Sequence, residues 1–496
     1  MTQNARVEGL TQPVAQDAQL AGASLADAPA MRRARAAPRV LLLTSGLGCG
    51  HVRAAQAVAD ALRRREPRAK IRTLDFWSLM NPGVAATIQR KYLELVTGHP
   101  ELYARLHSLD ERTWRRVLEN QIAPPDEVLE LIALVNNDDS GTRSVSSLFE
   151  WALGPYPSDL LLYPTACAAM PTTPGTRAST NVALLRLALF RWAFLRLQGR
   201  MEQRLLDFAP DVVVATQMVP AALVAGLKQA TRRWHDLPLT GVLTDFGAHD
   251  YWIQPGVDLY CVPHDSLAAG VLAPAAGRSR VRVRATGVPL MPSFEELPSQ
   301  QAARRWAGLD PGDTRPVVLV LGGGLGLGVD GLVIPLLERL PDARIVVMAG
   351  HNDHVLEQMR ALGVAAQGRL AVRGWTEHME NFVVASDLVI GKPGGLTVAE
   401  VLACGRPLLV TKSLQGQESF NVRFLERHQV GRLVSLAELP DEAAAWLANP
   451  AELQRVQQRS AALGRRDGAA QVAALVLEQA AASRRLEQAA ALKGSA

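Results

Sequence analysis

Branched apolar runs of four to six residues recur along the chain, each closed off by glycine, proline or a polar turn. In the first half they fall at 40–43, 71–74, 211–215, 239–243, 258–262 and 281–285. In the second half they fall at 316–321, 344–348, 369–372, 387–390, 407–410 and 431–434. Runs without polar alternation are what strands buried on both faces require, as in parallel sheets. At 281–285, Arg280, Arg282 and Arg284 alternate with apolar residues, which predicts a strand with one solvated face. Between runs, apolar positions recur at helical spacing, as at 54–62 and from Thr397 to a stop at Gly405 and Pro407. Strand and helix in alternation predict an α/β fold, here as two Rossmann-like units joined through a crossover at 287–294. The expected division is a disordered tail at 1–37, a first domain at 38–292, a second at 293–439, and C-terminal helices at 440–496 that buttress or bridge the two.

The chemistry collects where runs meet glycine. After the strand at 387–390 come Lys392, Pro393, Gly394 and Gly395, then a helix bearing Thr397 and Glu400. A strand, a glycine-rich turn and a helix N-terminus offer free backbone N–H groups and a positive dipole end to an anion. An ordinary βαβ turn would look the same in its glycines alone. The added cation, hydroxyl and carboxylate suit a nucleotide diphosphate, with Thr397 on phosphate and Glu400 on ribose hydroxyls. A second such turn, Gly46-Leu-Gly-Cys-Gly-His51, follows the strand at 40–43, and a third spans 322–328. His51 stands where the chain enters a helix, a position that suits either a capping role or a catalytic one. Asp75, after the run at 71–74, is at about the distance of a Rossmann ribose acid. Asp245 and His249 lie in a loop at a strand's carboxyl end, where doubly wound sheets bind ligands and where either residue could equally brace the loop.

Composition narrows the field. The chain has 496 residues, 48% hydrophobic and 20% charged, so it is globular and too long for one core. A net charge of +5, from 53 basic and 48 acidic residues, is too mild to call for nucleic acid. Cys49, Cys167, Cys261 and Cys404 form no ligand-spaced pair, which predicts a reducing compartment and no zinc, and no carboxylate pair of convincing spacing calls for another metal. No run of about 18 apolar residues predicts a membrane span. The segment 78–119 sets Arg90, Lys91, Arg105, Arg112, Arg115 and Arg116 between apolar residues at helical spacing. That pattern suits an interfacial helix on anionic lipid or a surface helix of a globular core. The stretch 120–180 is loop-rich and says little.

Taken together and in order, the motifs resemble the monogalactosyldiacylglycerol synthase and processive diacylglycerol glucosyltransferase family, relatives of the lipid II-forming transferase. They are GLGCGH at 46–51, YLELVTGHPELYARLH at 92–107, TDFGAHDYW at 244–252, VDLYCVP at 257–263, TGVPLMPSF at 286–294, GGGLGLG at 322–328, VRGWTEHM at 372–379, GKPGGLTVAEVLACGRPLLV at 391–410 and GQESFNVRFL at 416–425. The resemblance implies a GT-B fold and an inverting transfer of a hexose from a UDP-sugar to a lipid such as diacylglycerol, with no cofactor besides the donor substrate. It implies donor binding by Gly323, Gly324, Trp375, Lys392, Gly394, Gly395, Thr397, Glu400, Gln417, Glu418 and Asn421. It places His51 as general base, with Asp245 or His249 in reserve, and it turns the 80–119 segment toward an anionic membrane surface. The enzyme would then be cytoplasmic, peripheral on the inner face. Many plant-type members carry an Asp where this chain has Gly46, which shifts the burden onto His51. A GT-B enzyme on a soluble acceptor, a nucleotide-sugar epimerase and a non-catalytic sugar-nucleotide module are the competing readings.

Overall fold

A computed structural model describes residues 37–46, 49–79, 197–248, 252–275, 281–310, 312–324, 326, 328–329, 331–366, 368–411 and 417–493. The tail, the 80–119 segment read as membrane-facing, the 120–180 stretch and His249 lie outside these residues.

The first half runs β1 (Arg39–Thr44), α1 (Cys49–Arg65), β2 (Lys70–Asp75), β3 (Val212–Ala215), α2 (Met218–Ala230), β4 (Leu239–Val242), β5 (Leu259–Val262), α3 (Ala268–Ala275) and β6 (Arg282–Ala285). The second runs α4 (Gln300–Trp306), β7 (Val317–Leu321), α5 (Val333–Arg339), β8 (Arg344–Met348), α6 (Asp353–Ala365), β9 (Leu370–Arg373), α7 (Met379–Ala385), β10 (Leu388–Gly391), α8 (Gly395–Ala403), β11 (Leu408–Val410), α9 (Gln417–Arg427) and β12 (Gly431–Leu433). Three helices close the chain: α10 (Leu439–Leu447), α11 (Pro450–Leu463) and α12 (Gly468–Lys493).

Among the described residues the strands form two six-stranded sheets, ordered β2-β1-β3-β4-β5-β6 and β12-β11-β10-β7-β8-β9. Every pairing is parallel. Both faces of the inner strands are covered, which is why their runs show no alternation, whereas the edge strands β2 and β6 are partly exposed, as Arg282 and Arg284 predict for β6. On β1, Leu41 and Leu43 join one apolar layer while Val40 and Leu42 join the other, all four fully buried.

Each order contains one point where the chain reverses its direction of winding: between β1 and β3 in the first sheet, and between β7 and β10 in the second. Loops leaving neighbouring strands diverge there and leave a crevice at the strands' carboxyl ends. The glycine-rich turns after β1, β7 and β10 all fall at these two points.

The C-terminal helices tie the halves together. The C-terminal stretch folds as three helices, and the first break falls where Asn449 caps α11 by accepting from Glu452 N at 3.2 Å and Pro450 follows it. A Cβ at Gly464 would lie 2.3 Å from Leu402 O, so α11 ends hard against α8. The chain then returns to the first sheet, where Val472, Ala473, Val476 and Ala480 of α12 pack with Val58 and Leu62 of α1. Burying each such valine or leucine contributes about 1.5–3 kcal/mol.

Candidate functional site

His51 lies on the first turn of α1, over the crevice of the first sheet. Its Nδ1 donates to Thr216 O at 2.7 Å, and Thr216 directly follows β3. The Thr216 hydroxyl in turn donates to His51 O at 3.0 Å, and Thr244 Oγ1 lies 3.3 Å from Nδ1. A carbonyl only accepts, so Nδ1 carries the proton and Nε2 is the basic nitrogen of the neutral ring. Burial lowers the pKa of this imidazole, while the nearby Asp245 carboxylate and the Thr216 carbonyl partly oppose that. The ring is therefore unprotonated at neutral pH, as a base must be.

Gly46 stands in a space already occupied. A Cβ there would lie 2.5 Å from Asp75 Oδ2. Asp75 accepts from Trp77 N at 3.0 Å and from Gly46 N, and burial pushes its carboxyl upward. So Asp75 closes the turn after β1 and is not held out for a ribose.

In the second half the described glycines after β7 turn tightly. Gly323, Gly326 and Gly328 have φ of 67°, 61° and 79°, values that favour glycine. The turn packs under the loop after β8, where His351 N donates to Gly324 O at 3.0 Å. Beside it, β10 ends at Gly391, and Lys392 and Pro393 lead to Gly394, the N-cap of α8. No side chain caps this helix and no acidic residue stands in its first turn. Helix termini leave N–H groups that need a partner, and an anion supplies one. The helix opens at Gly395 rather than Thr397 because Gly394 is already extended, at φ −60° and ψ 141°. Thr397 and Glu400 lie half-buried along it. Burial pushes the Glu400 carboxyl up to about 7, against the pull of Arg53 and with a further push from Glu380. Trp375, just past β9 and 40% exposed, stacks on His351 with ring centroids 4.2 Å apart.

The two halves interlock at this place. A Cβ on Gly395 would lie 1.9 Å from Thr244 O and 2.8 Å from Asp245 Oδ1. At Gly247 a Cβ would fall 2.2 Å from the Phe420 ring, and Phe246 meets Phe424 with centroids 4.4 Å apart. Asn421, expected to touch the donor, does different work. It is fully buried; its amide donates to Asp245 Oδ1 at 2.9 Å and to Pro393 O at 2.8 Å, and its Oδ1 accepts from Phe246 N at 2.6 Å. Two of these bonds reach the first half and the third holds Pro393 of its own half, so Asn421 fastens the 244–246 loop to the donor turn. Asp245, 8% exposed and bonded to Asn421, belongs to the same fastening. Gln417 and the half-buried Glu418 open α9. Among the described residues no group of three or more His, Cys, Asp or Glu is placed to hold a metal, and no helix is long and apolar enough to cross a membrane.

Thr216, Thr244, His351 and Arg53 are site residues that the sequence did not single out. The usable signal for the threonines was position alone: each directly follows or closely trails a strand whose carboxyl end faces a crevice.

A family model described as monogalactosyldiacylglycerol (MGDG) synthase matches residues 180–290. The processive diacylglycerol beta-glucosyltransferase of Bacillus subtilis (strain 168) is 29% identical over 256 residues, 51% of this chain and 64% of that protein. The Staphylococcus carnosus (strain TM300) protein of the same name is 26% identical over 232 residues, 46% of this chain and 57% of its own. The match therefore spans less than two thirds of either relative's length. Among solved structures, MurG of Acinetobacter baumannii superimposes with a TM-score of 0.51 at 14% identity, covering 89% of this chain and 99% of that one. That likeness identifies the architecture as GT-B. In sequence the chain resembles the monogalactosyldiacylglycerol synthase and processive diacylglycerol glucosyltransferase family, and in structure it is a GT-B protein of two parallel sheets.

Proposed function

We propose that the protein is an inverting glycosyltransferase that moves a hexose from a UDP-sugar to a lipid hydroxyl such as that of diacylglycerol. The observation that carries this reading is the interlock at Gly395, which sets a neutral histidine of one half beside an uncapped helix N-terminus of the other. The names of the sequence relatives, with their diacylglycerol acceptor and β-glucosyl product, support the same choice.

In this mechanism the acceptor hydroxyl approaches from the first half. His51 Nε2 takes its proton as the oxygen attacks the anomeric carbon from the face opposite the diphosphate. The bond from that carbon to the phosphate oxygen breaks, and its electron pair leaves with UDP. Backbone amides at the start of α8 and in the 322–328 turn stabilise the charge growing on the diphosphate without needing to reorganise. An α-linked donor then yields a β-linked product. Glu400 accepts the ribose hydroxyls, Thr397 and Lys392 attend the phosphates, Trp375 borders the base, and Glu418 with Gln417 meets the sugar. The arginine-interleaved segment at 80–119 supports docking on an anionic membrane surface, each basic side chain contributing about 1 kcal/mol there.

Glu400→Ala tests the donor assignment. Loss of a charge-assisted ribose contact should weaken UDP binding by about 1.5–3 kcal/mol, roughly ten- to a hundredfold, in a calorimetric titration at pH 8. Unchanged affinity would remove Glu400 from the site.

A further inference from the structure

We infer that Arg53, carried on α1 of the first half, is a positioning residue of the donor pocket in the second half, reaching across the cleft to Glu400 and Trp375. The inference rests on the UDP-binding reading above and adds to it a residue that no motif assigned.

Three observations converge on it. The Arg53 guanidinium carbon lies 5.9 Å from the centroid of the Trp375 ring, within the range of a cation–π contact. Trp375 is itself fixed by its stack on His351, nearly parallel at 17°. The two helices involved also meet directly: a Cβ at Gly50 on α1 would lie 3.7 Å from Leu396 Cβ on α8. That approach brings α1 over the first turns of the helix that carries Glu400.

The charges around Glu400 explain what Arg53 does there. On α7, Glu380 is 4% exposed and held by Ser293 at 2.9 Å, Asn381 at 3.0 Å and His378 at 3.3 Å. It adds negative charge beside Glu400, and Cys404 follows one turn further along α8. Burial and Glu380 both favour the protonated acid, and Arg53 is the group that favours the carboxylate. Two ribose hydroxyls both donate, so they need a carboxylate rather than a carboxylic acid. Because Arg53 sits on the opposite half, ribose recognition is tied to the two halves being together.

The sign follows from this. UDP affinity should weaken as pH falls through the Glu400 value of about 7. Removing Arg53 should move that midpoint to higher pH. A displacement of about one pH unit weakens binding at pH 7 by about fivefold and leaves it within about twofold at pH 9, where the carboxylate forms in both proteins.

The test is calorimetric titration of UDP into the full-length protein, Arg53→Met and Arg53→Lys, from pH 6 to 9. The expected result is a raised midpoint for Arg53→Met and a parent-like curve for Arg53→Lys. Superimposable curves for Arg53→Met and parent would overturn the inference. So would an equal fold-loss at every pH, which would assign Arg53 to packing alone. If the parent and Arg53→Lys both fail to bind UDP at any pH, the donor reading falls, and this inference with it.

Discussion

His51→Ala lowers kcat by 10²–10⁴-fold and leaves UDP affinity within about twofold. The rate falls because the acceptor hydroxyl loses the basic nitrogen that His51 presents at the first sheet's crevice. Thr216 O holds the proton on Nδ1, and burial keeps the ring neutral. UDP affinity is spared because the nucleotide sits on the other half. A second readout separates chemistry from structure. In the parent, kcat at saturating UDP-sugar should rise with pH through a value below the usual 6.5 of histidine, because burial lowers it. That limb should vanish in the variant. A variant that keeps more than about a tenth of kcat would assign His51 to structure and the base to another group.

Gly395→Ala is the second large effect. One methyl group at 1.9 Å from Thr244 O has nowhere to go, since the atom it meets is backbone and not a flexible side chain. The turn and the 244–246 loop must separate by about an ångström, which carries His51 away from the donor. A misplacement of that size costs about 10²-fold in rate. Each sheet is untouched, so far-UV circular dichroism should match the parent. Gly199→Ala is the control, because a Cβ there meets nothing within 4 Å, and it should be near neutral. Equal activity of the two variants would mean that the halves do not work in this closed arrangement.

The sheets were legible because strands buried on both faces leave an unbroken apolar signature. The run read at 407–410 is β11 (Leu408–Val410), and that at 344–348 is β8 (Arg344–Met348). The glycine turns were legible for a local reason too: strand, turn and helix start are consecutive in sequence. What stayed hidden depends on residues far apart. Asn421 looked like a donor ligand within its own motif, but its partner Asp245 lies 176 residues away. Arg53 reads as one more charge on a helix until Trp375, from the other half, comes within reach. Asp75 sat at the spacing of a ribose acid, and only the fold shows that its carboxylate fills the space beside Gly46.

The central claim is a transfer of sugar to lipid that depends on both halves. The direct measurement incubates the full-length protein with diacylglycerol in anionic vesicles and a panel of radiolabelled UDP-hexoses, then extracts the lipid. The account predicts label in the organic phase as a β-linked glycolipid, lost with His51→Ala and restored by no added metal. Label released only as free sugar, passed to a water-soluble acceptor, or joined through an α-linkage would contradict it.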